Sequence, residues 1–446
     1  MKIMKFGGSS VGDAQRIKNL AGLVNPNENT IVVLSAMSGM TDRLNDISGY
    51  ARDGKYSLCV TRLIETAEYF KNTAINLFDD NDELNSAWQF ITGSFDKLID
   101  LVEKPWSQRS EYKLVSSGEL ITCQLAFRYF RSIGWDCGYL CATDYMTGDQ
   151  YEPDYSATSK KLIELMANSE NHNLYFTEGF ICRNNENEVS NLGRGGSDFS
   201  ATIIGSLLGA SVIEIWSDRD GLLNNDPRFV SNTFPVENLT YREAEELAYF
   251  GAKILHPNSI EPAKRTGIPI LLKNTFNPNA KGTLVYTDAM ADEYKAVAAK
   301  DWVTAIKVHS GRMMNSYGFV NKIFEVFDKY RTPIDVITTS EVSVSITIDN
   351  IRYKDEIINE LNRLGQTETF ENQVIICVVG NFDTNTGEKL SSIFGSLGEI
   401  PVKMISFGSS RTNLTFITDS EYKSRILNIL NQTLFHKKPC LAQNRF

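Results

Sequence analysis

Lys5, Gly7, Gly8, Ser9 and Ser10 fall in one run, K-F-G-G-S-S-V, whose residue types suit the holding of an anion. Met1 to Phe6 has the texture of a short buried strand, and the two glycines free the backbone. Val11, Ile17, Leu20, Ala21 and Val24 then recur at helical spacing. The prediction is strand, glycine turn, helix. At such a junction unpaired N–H groups and the helix dipole converge on one spot. Lys5 adds a full cation there and the serines add hydroxyls, so phosphate is the expected occupant. The spacing matches neither G-x-x-x-x-G-K-[ST] nor G-x-G-x-x-G, and neither of those nucleotide folds is implied.

Three further small-residue loops carry polar side chains. Thr30 to Ser35 is an apolar run of the buried parallel-strand type, and it ends in a loop holding Ser38, Thr41 and Asp42. The polar hairpin tip Asn184 to Glu188 leads into Leu192 to Asp198, which holds Arg194, Ser197 and Asp198. Val212 to Trp216 is a β-branched strand with Ser217 and Asp218 at its end. The loops carrying Lys5, Thr41, Arg194 with Asp198, and Asp218 are all expected at carboxyl ends of strands in one sheet, where open α/β sheets bind ligands. Phosphoryl transfer needs positioning and positive charge on the transferred group above all. A carboxylate acceptor is already a nucleophile at neutral pH, which suits a chain with only 4 histidines.

The elements that position these loops follow a βαβα alternation and predict a mainly parallel sheet. Ala51 to Glu103 reads as largely helical. Lys113 to Ser116 is expected as a short strand ahead of Ser117-Gly118-Glu119 and a helix through Phe130. Tyr139 to Ala142 and Tyr175 to Phe180 are strands, with a helix from Ser156 to Ala167 between them. Ile268 to Lys273 is the last strand of the domain. Past Tyr294 the order strand, helix, strand, strand, helix occurs twice, a βαββα duplication.

At 446 residues the chain accommodates two to four domains, and 42% hydrophobic with 22% charged residues is ordinary globular composition. A net charge of -10 argues against nucleic acid or an anionic membrane as the main partner. The 7 cysteines show no C-x-x-C pair and are read as reduced thiols of a cytoplasmic protein. No zinc-type spacing, signal peptide or membrane-length apolar run is found.

K-F-G-G-S-S-V, S-S-G-E (Ser116 to Glu119), G-R-G-G-S-D (Gly193 to Asp198), D-P-R (Asp226 to Arg228) and F-G-A-K-I-L-H-P (Phe250 to Pro257) together resemble aspartate kinase, of the amino-acid kinase superfamily. The duplicated tail is similar to that family's tandem ACT modules. The resemblance implies an α/β three-layer sandwich with a mainly parallel sheet over residues 1–290. Two α+β ferredoxin-like ACT modules would follow at 301–368 and 369–446. The stretch Lys295 to Lys300 has a second possible place inside the later module, which would make the first an insertion.

The resemblance also implies ATP-dependent phosphorylation of the L-aspartate side chain to 4-phospho-L-aspartate, the first step toward lysine, threonine and methionine. Lys5 would neutralise the phosphoryl group, with Asp198 organising it and Gly7, Gly8 and Ser9 cradling phosphate oxygens. Glu119 would meet the α-amino group of aspartate and Arg194 its unreacting carboxylate, with Ser38, Thr41 and Ser197 completing that pocket. Ser217, Asp218, Arg228 and Lys253 match nucleotide-side positions, and Mg²⁺ would be held mainly by the ATP phosphates. Leu223 and Ser217 stand where some members have tyrosine and threonine, which leaves the adenine contacts open. His256 is read as structural.

In the tail, Met313, Ser316, Gly318, Phe319, Val320, Asp335, Ser340 and Glu341 match the effector site of lysine-inhibited members. The resemblance therefore implies an amino-acid effector, lysine ahead of threonine, and a homodimer through the ACT modules, with a tetramer as the alternative. No dehydrogenase region follows Phe446, so a monofunctional kinase is expected. Two rivals stand beside this reading: a kinase for another carboxylate, and a catalytically silent amino-acid sensor.

Overall fold

The computed structural model describes residues 1–150, 152–251, 255–286, 294–313 and 317–435. Met1–Leu222 with Ile254–Asp288 forms one compact unit, and Leu223–Lys253 with Ala289–Phe446 forms another. In chain order the first unit begins with β1 (Lys2–Phe6), α1 (Ala14–Asn19), β2 (Thr30–Leu34), α2 (Met40–Arg52), α3 (Tyr56–Leu77), α4 (Asn81–Val102) and α5 (Gln108–Ser132). It continues through β3 (Cys137–Leu140), α6 (Ala142–Tyr145), β4 (Gly148–Asp149), β5 (Glu152–Pro153), α7 (Tyr155–Asn168), β6 (Leu174–Glu178), β7 (Ile181–Arg183), β8 (Val189–Asn191), α8 (Gly196–Leu208) and β9 (Val212–Ser217). After β10 (Asn238–Thr240) and α9 (Tyr241–Tyr249) of the second unit, it ends with α10 (Glu261–Thr266), β11 (Ile270–Asn274) and β12 (Thr283–Tyr286).

Within the first unit the strands run β12-β11-β9-β1-β2-β6-β3. All the pairings from β11 to β3 are parallel, and β12 alone runs antiparallel to its neighbour β11. Alternation along each strand builds three layers. Met4, Phe6, Val32 and Leu34 join the core formed with α1 to α5, where Leu44, Phe70, Ile91 and Phe130 are buried. Ile3 faces the other way, toward Gly205 of α8. Gly205 leaves no room for a side chain there, since a Cβ would stand 2.7 Å from Ile213.

Four local expectations change. Lys113 to Glu119 is not a strand and turn but the middle of α5, which Ser107 caps by accepting the Ser110 N–H at 3.2 Å. The run of small residues there marks close packing: a Cβ on Gly118 would lie 3.1 Å from Ala36. The first helix is split into a 3₁₀ turn at Gly8–Val11 and a separate α1, capped by Asp13 on the Arg16 N–H at 2.8 Å. The Arg194–Asp198 loop follows the hairpin β7–β8, which is a sheet of its own. Ile270–Asn274 is followed by one more strand, β12.

The second unit continues with β13 (Tyr294–His309), α11 (Phe319–Lys329), β14 (Ile337–Thr339), β15 (Ser343–Ile348), α12 (Lys354–Leu364), β16 (Gln366–Gly380), α13 (Thr386–Leu397), β17 (Met404–Phe407), β18 (Asn413–Asp419) and α14 (Lys423–Phe435). Its sheet runs β14-β15-β13-β16-β18-β17. Lys295 to Lys300 and Val303 to Val308 are one strand, with a register shift between Lys300 and Val303 and Trp302 at φ 60°. The first half of β13 pairs with the last half of β16, and its second half with the first half of β16 and with β15. Two apolar cores result, one around Val374, Phe416 and Leu427 and one around Ile306, Ile323 and Ile346.

Candidate active site

The carboxyl ends of β1 and β2 and the amino ends of α2 and α8 open on one cavity of about 420 Å³. Lys5, Gly8, Ser38, Thr41, Glu119, Arg194, Ser197 and Asp198 all line it. Two helix N-termini of 13-residue helices therefore face the same space, each beginning at a left-handed glycine, Gly39 at φ 73° and Gly195 at φ 73°. Their unpaired amides favour anions.

Lys5 is the next-to-last residue of β1, so its side chain is delivered to the strand end. Its Nζ lies 2.5 Å from Asp198 Oδ1, with the two side chains 10% and 12% exposed. Gly8 permits close approach: a Cβ there would sit 2.8 Å from the Ala36 carbonyl. Gly195 combines its positive φ with crowding, since a Cβ would fall 2.4 Å from the His256 Cβ. His256 caps the short turn Pro257–Ser259, its Nδ1 accepting the Asn258 N–H at 3.3 Å. Burial and the charge of Arg194 lower its pKa against the pull of Asp198, which keeps the ring neutral at pH 7.

Glu119 comes from the middle of α5 and is 4% exposed. Its Oε2 has no hydrogen-bond partner. Burial pushes its carboxyl pKa up to about 8, against the opposing pull of its own amide, the Ala36 amide and Lys5.

Other expected residues fall elsewhere. Gly7 and Ser9 adjoin the cavity without lining it: the Gly7 N–H donates to the Trp216 carbonyl at 3.0 Å, and the Ser9 carbonyl accepts from Arg16 at 2.8 Å. Ser10 is buried against Thr275, with the hydroxyls 2.6 Å apart. Ser217 and Asp218 end β9, where the Ser217 carbonyl accepts the Thr275 N–H at 2.8 Å and Asp218 is exposed. Arg228 lies in the second unit, paired with Asp226 at 2.6 Å. Lys253 and Ser316 lie outside the described residues.

In the second unit Gly318, at φ 74°, caps α11. Phe319 is buried in the core, and Met313 and Val320 pack against that core. The Asp335 side chain is 1% exposed and pairs with Lys300 at 2.6 Å, while the Tyr249 hydroxyl donates to it at 2.9 Å. Lys300 also reaches Asp349 at 2.9 Å. Ser340 and Glu341 are exposed in the β14–β15 turn, where the Ser340 hydroxyl lies 2.7 Å from that of Ser343.

Two features of the site, one of them lining it, were not foreseen from the sequence. Phe180 faces the cavity at φ 71°, a left-handed backbone rare for an aromatic residue. Two residues earlier stands Glu178, the last residue of β6 and 1% exposed. A Glu-Gly pair ending the largely aromatic run Tyr175 to Thr177 was the available signal.

A model described as the amino acid kinase family matches residues 1–274. The chain is 34% identical to aspartokinase 3, chloroplastic, of Arabidopsis thaliana over 473 aligned positions, spanning 99% of this chain and 82% of that protein. It is 30% identical to lysine-sensitive aspartokinase 3 of Escherichia coli, over 97% of this chain and 99% of the relative. The crystal structure of E. coli aspartokinase III in complex with aspartate and ADP superposes with a TM-score of 0.84 at 28% identity, over 98% of this chain and 100% of that one.

Proposed function

We propose a function that proceeds from one premise: the chain belongs to the amino acid kinase family, in its aspartokinase branch. It is an enzyme that transfers a phosphoryl group from ATP to the side-chain carboxylate of L-aspartate, giving 4-phospho-L-aspartate for amino-acid biosynthesis under feedback control. The observation that carries the site assignment is the gathering of Lys5, Glu119, Arg194 and Asp198 around a single cavity fed by two helix N-termini.

The substrate carboxylate attacks the γ-phosphorus in line as the bond to the β-phosphate oxygen breaks and ADP leaves, needing no base. Lys5, held straight by Asp198, offsets the charge on the phosphoryl oxygens, and the amides around Gly8 and the α8 N-terminus take up the rest. Arg194 forks onto the carboxylate that does not react, Glu119 meets the ammonium, and the hydroxyls of Ser38, Thr41 and Ser197 complete the pocket. Gly7, Ser9, Ser217 and Asp218 serve the nucleotide. Mg²⁺ would be held mainly by the ATP phosphates and would offset charge on the transferred group. L-lysine is the effector, with Asp335 reading an ammonium in the second unit. The protein works as a cytoplasmic homodimer through its ACT modules.

ATP-dependent formation of aspartyl hydroxamate in the presence of hydroxylamine tests the reading, because hydroxylamine traps the acyl phosphate. Product is expected from L-aspartate and not from L-glutamate, with suppression by L-lysine. A chain that binds lysine yet yields no hydroxamate from any small carboxylate is a sensor instead.

A further inference from the structure

Two helix turns of the first unit are built alike. Gly118 to Thr122 in α5 reads G-E-L-I-T, and Gly196 to Ser200 in α8 reads G-S-D-F-S. Each starts on a glycine and next carries side chains that line the cavity, Glu119 in one and Ser197 with Asp198 in the other. Each ends, four residues after the glycine, in a hydroxyl. Thr122 and Ser200 are both fully buried, and neither lines the cavity.

The two hydroxyls make the same pair of bonds. Thr122 donates to the Gly118 carbonyl at 2.7 Å and accepts the Met37 N–H at 3.2 Å. Ser200 donates to the Gly196 carbonyl at 2.9 Å and accepts the Phe180 N–H at 2.9 Å. Spending the one proton on the helix's own carbonyl leaves each oxygen as an acceptor toward the loop. Met37 follows β2 and Phe180 follows β6, and both line the cavity. Each is held at its carbonyl as well: that of Met37 accepts the Met40 N–H at 3.0 Å, and that of Phe180 accepts the Leu192 N–H at 2.8 Å.

The glycines bring helix and loop close enough for these bonds. A Cβ on Gly118 would stand 3.1 Å from the Ala36 Cβ, and one on Gly196 would stand 2.7 Å from the Phe180 ring. The two loops are also tied to each other, since the Gly179 N–H donates to the Leu34 carbonyl at 2.9 Å. Packing alone needs no hydroxyl here, because valine would fill the space of Thr122. Thr66 on α3 is the ordinary case: it is fully buried, donates to the Arg62 carbonyl at 2.6 Å, and accepts no N–H among the described residues. What sets Thr122 and Ser200 apart is the loop amide. Phe180 adds a second sign, for its φ of 71° is a strained backbone that persists only where the surroundings over-determine it. The Ser200 hydroxyl supplies one of the bonds that do so.

We propose that Thr122 and Ser200 are a matched pair of positioning residues that clasp the β2 and β6 loops to the helices bearing the substrate contacts, and so set the width of the aspartate pocket. Glu119 rides on one clasped turn and Ser197 on the other, so slack in either clasp moves a wall of the pocket against the groups that read the substrate. This rests on the reading of the cavity as the aspartate pocket.

The test is steady-state hydroxamate formation by the full chain, with aspartate varied at saturating ATP and ATP varied at saturating aspartate. Thr122→Val and Ser200→Ala each leave a buried loop N–H without its acceptor, and each should raise the aspartate KM roughly tenfold while the ATP KM holds. Thr122→Ser keeps the acceptor and should return the aspartate KM to the wild-type value. Thr66→Val loses a hydroxyl that bonds only its own helix, and should leave both KM values in place whatever it does to the Tm. That control separates clasping from a general loss of stability. The two clasps lie on separate helices, so the claim does not hang on one variant folding, and Thr122→Cys, a weak acceptor of similar size, gives the same reading where the harsher variants do not fold. An aspartate KM unchanged in whichever of these folds, an equal rise in both KM values, or a Thr122→Ser enzyme as impaired as Thr122→Val overturns the proposal. An unaltered chain that gives no hydroxamate from aspartate would instead remove the reading of the cavity itself.

Discussion

Replacing Lys5 by methionine keeps the unbranched apolar stem, one atom shorter, and removes one charge of a nearly buried pair. Lys5 Nζ and Asp198 Oδ1 are 2.5 Å apart with side chains 10% and 12% exposed. Removing one member of such a pair leaves an uncompensated charge and costs roughly 3–5 kcal/mol. The cavity admits water on one side, which places this case at about 3 kcal/mol. A shift of roughly 2–4 °C per kcal/mol then lowers the Tm by roughly 6–12 °C. The double variant Lys5→Met/Asp198→Asn has no stranded charge and should recover most of that loss. Activity should not follow stability. The missing cation would have faced charge developing on the phosphoryl group, a contribution of order 3–4 kcal/mol or roughly 10²–10³-fold in kcat, and it is missing from both variants. Hydroxamate formation and thermal unfolding by circular dichroism read the two effects separately. A Lys5→Met enzyme turning over within about tenfold of wild type refutes the phosphoryl role. A double variant as unstable as the single one refutes the pairing argument.

Arg194→Lys keeps the charge and loses the planar fork, so the aspartate KM should rise roughly tenfold or more while the ATP KM holds; equal rises in both would remove Arg194 from the aspartate clamp. Gly195→Ala must place a Cβ 2.4 Å from the His256 Cβ at φ 73°, and at least roughly 1–2 kcal/mol of backbone strain should appear as a tenfold or larger loss in kcat/KM for aspartate. Wild-type kinetics in that variant would mean the loop is not held as described. Asp335→Ala takes away the carboxylate that Lys300 and Tyr249 surround; the lysine concentration for half-inhibition should rise roughly tenfold or more, and an unchanged value would exclude Asp335 from the effector site.

The convergence of loops on one cavity was legible in the sequence because each of its parts is local. Glycine-bearing turns after apolar runs announce strand ends, and Lys5, Thr41 and Arg194 with Asp198 sit in or beside such turns. What was not legible depends on distant partners. Lys113 to Ser116 alternates well enough for a strand, but Ser107 caps a helix that runs through it, and Gly118 is small because α5 must approach Ala36. Lys295 to Lys300 and Val303 to Val308 read as separate strands, and Trp302 between them does take a positive φ, yet β16 runs alongside both halves and makes one strand of them. Ser10 looked like a phosphate ligand by type and position, and Thr275 and the Trp216 carbonyl claim its hydroxyl. Glu178 before Gly179 gave only a weak signal, since an acid at a strand end is ordinarily solvated. Tyr139 and Ala142, brought in from β3 and α6, satisfy its buried carboxyl.

The charges of the pocket bear on how it tells an amino acid from a plain dicarboxylate. Lys5 and Arg194 attract any carboxylate that enters, and Lys5 is partly neutralised by Asp198. Attraction alone would admit succinate as readily as aspartate. Glu119, 4% exposed on the same cavity, moves the discrimination to the docked state. Only a ligand carrying an ammonium can pair with its carboxyl, and a ligand without one leaves that buried group facing methylene groups. Selectivity for the amino group therefore rests on Glu119 rather than on the cations.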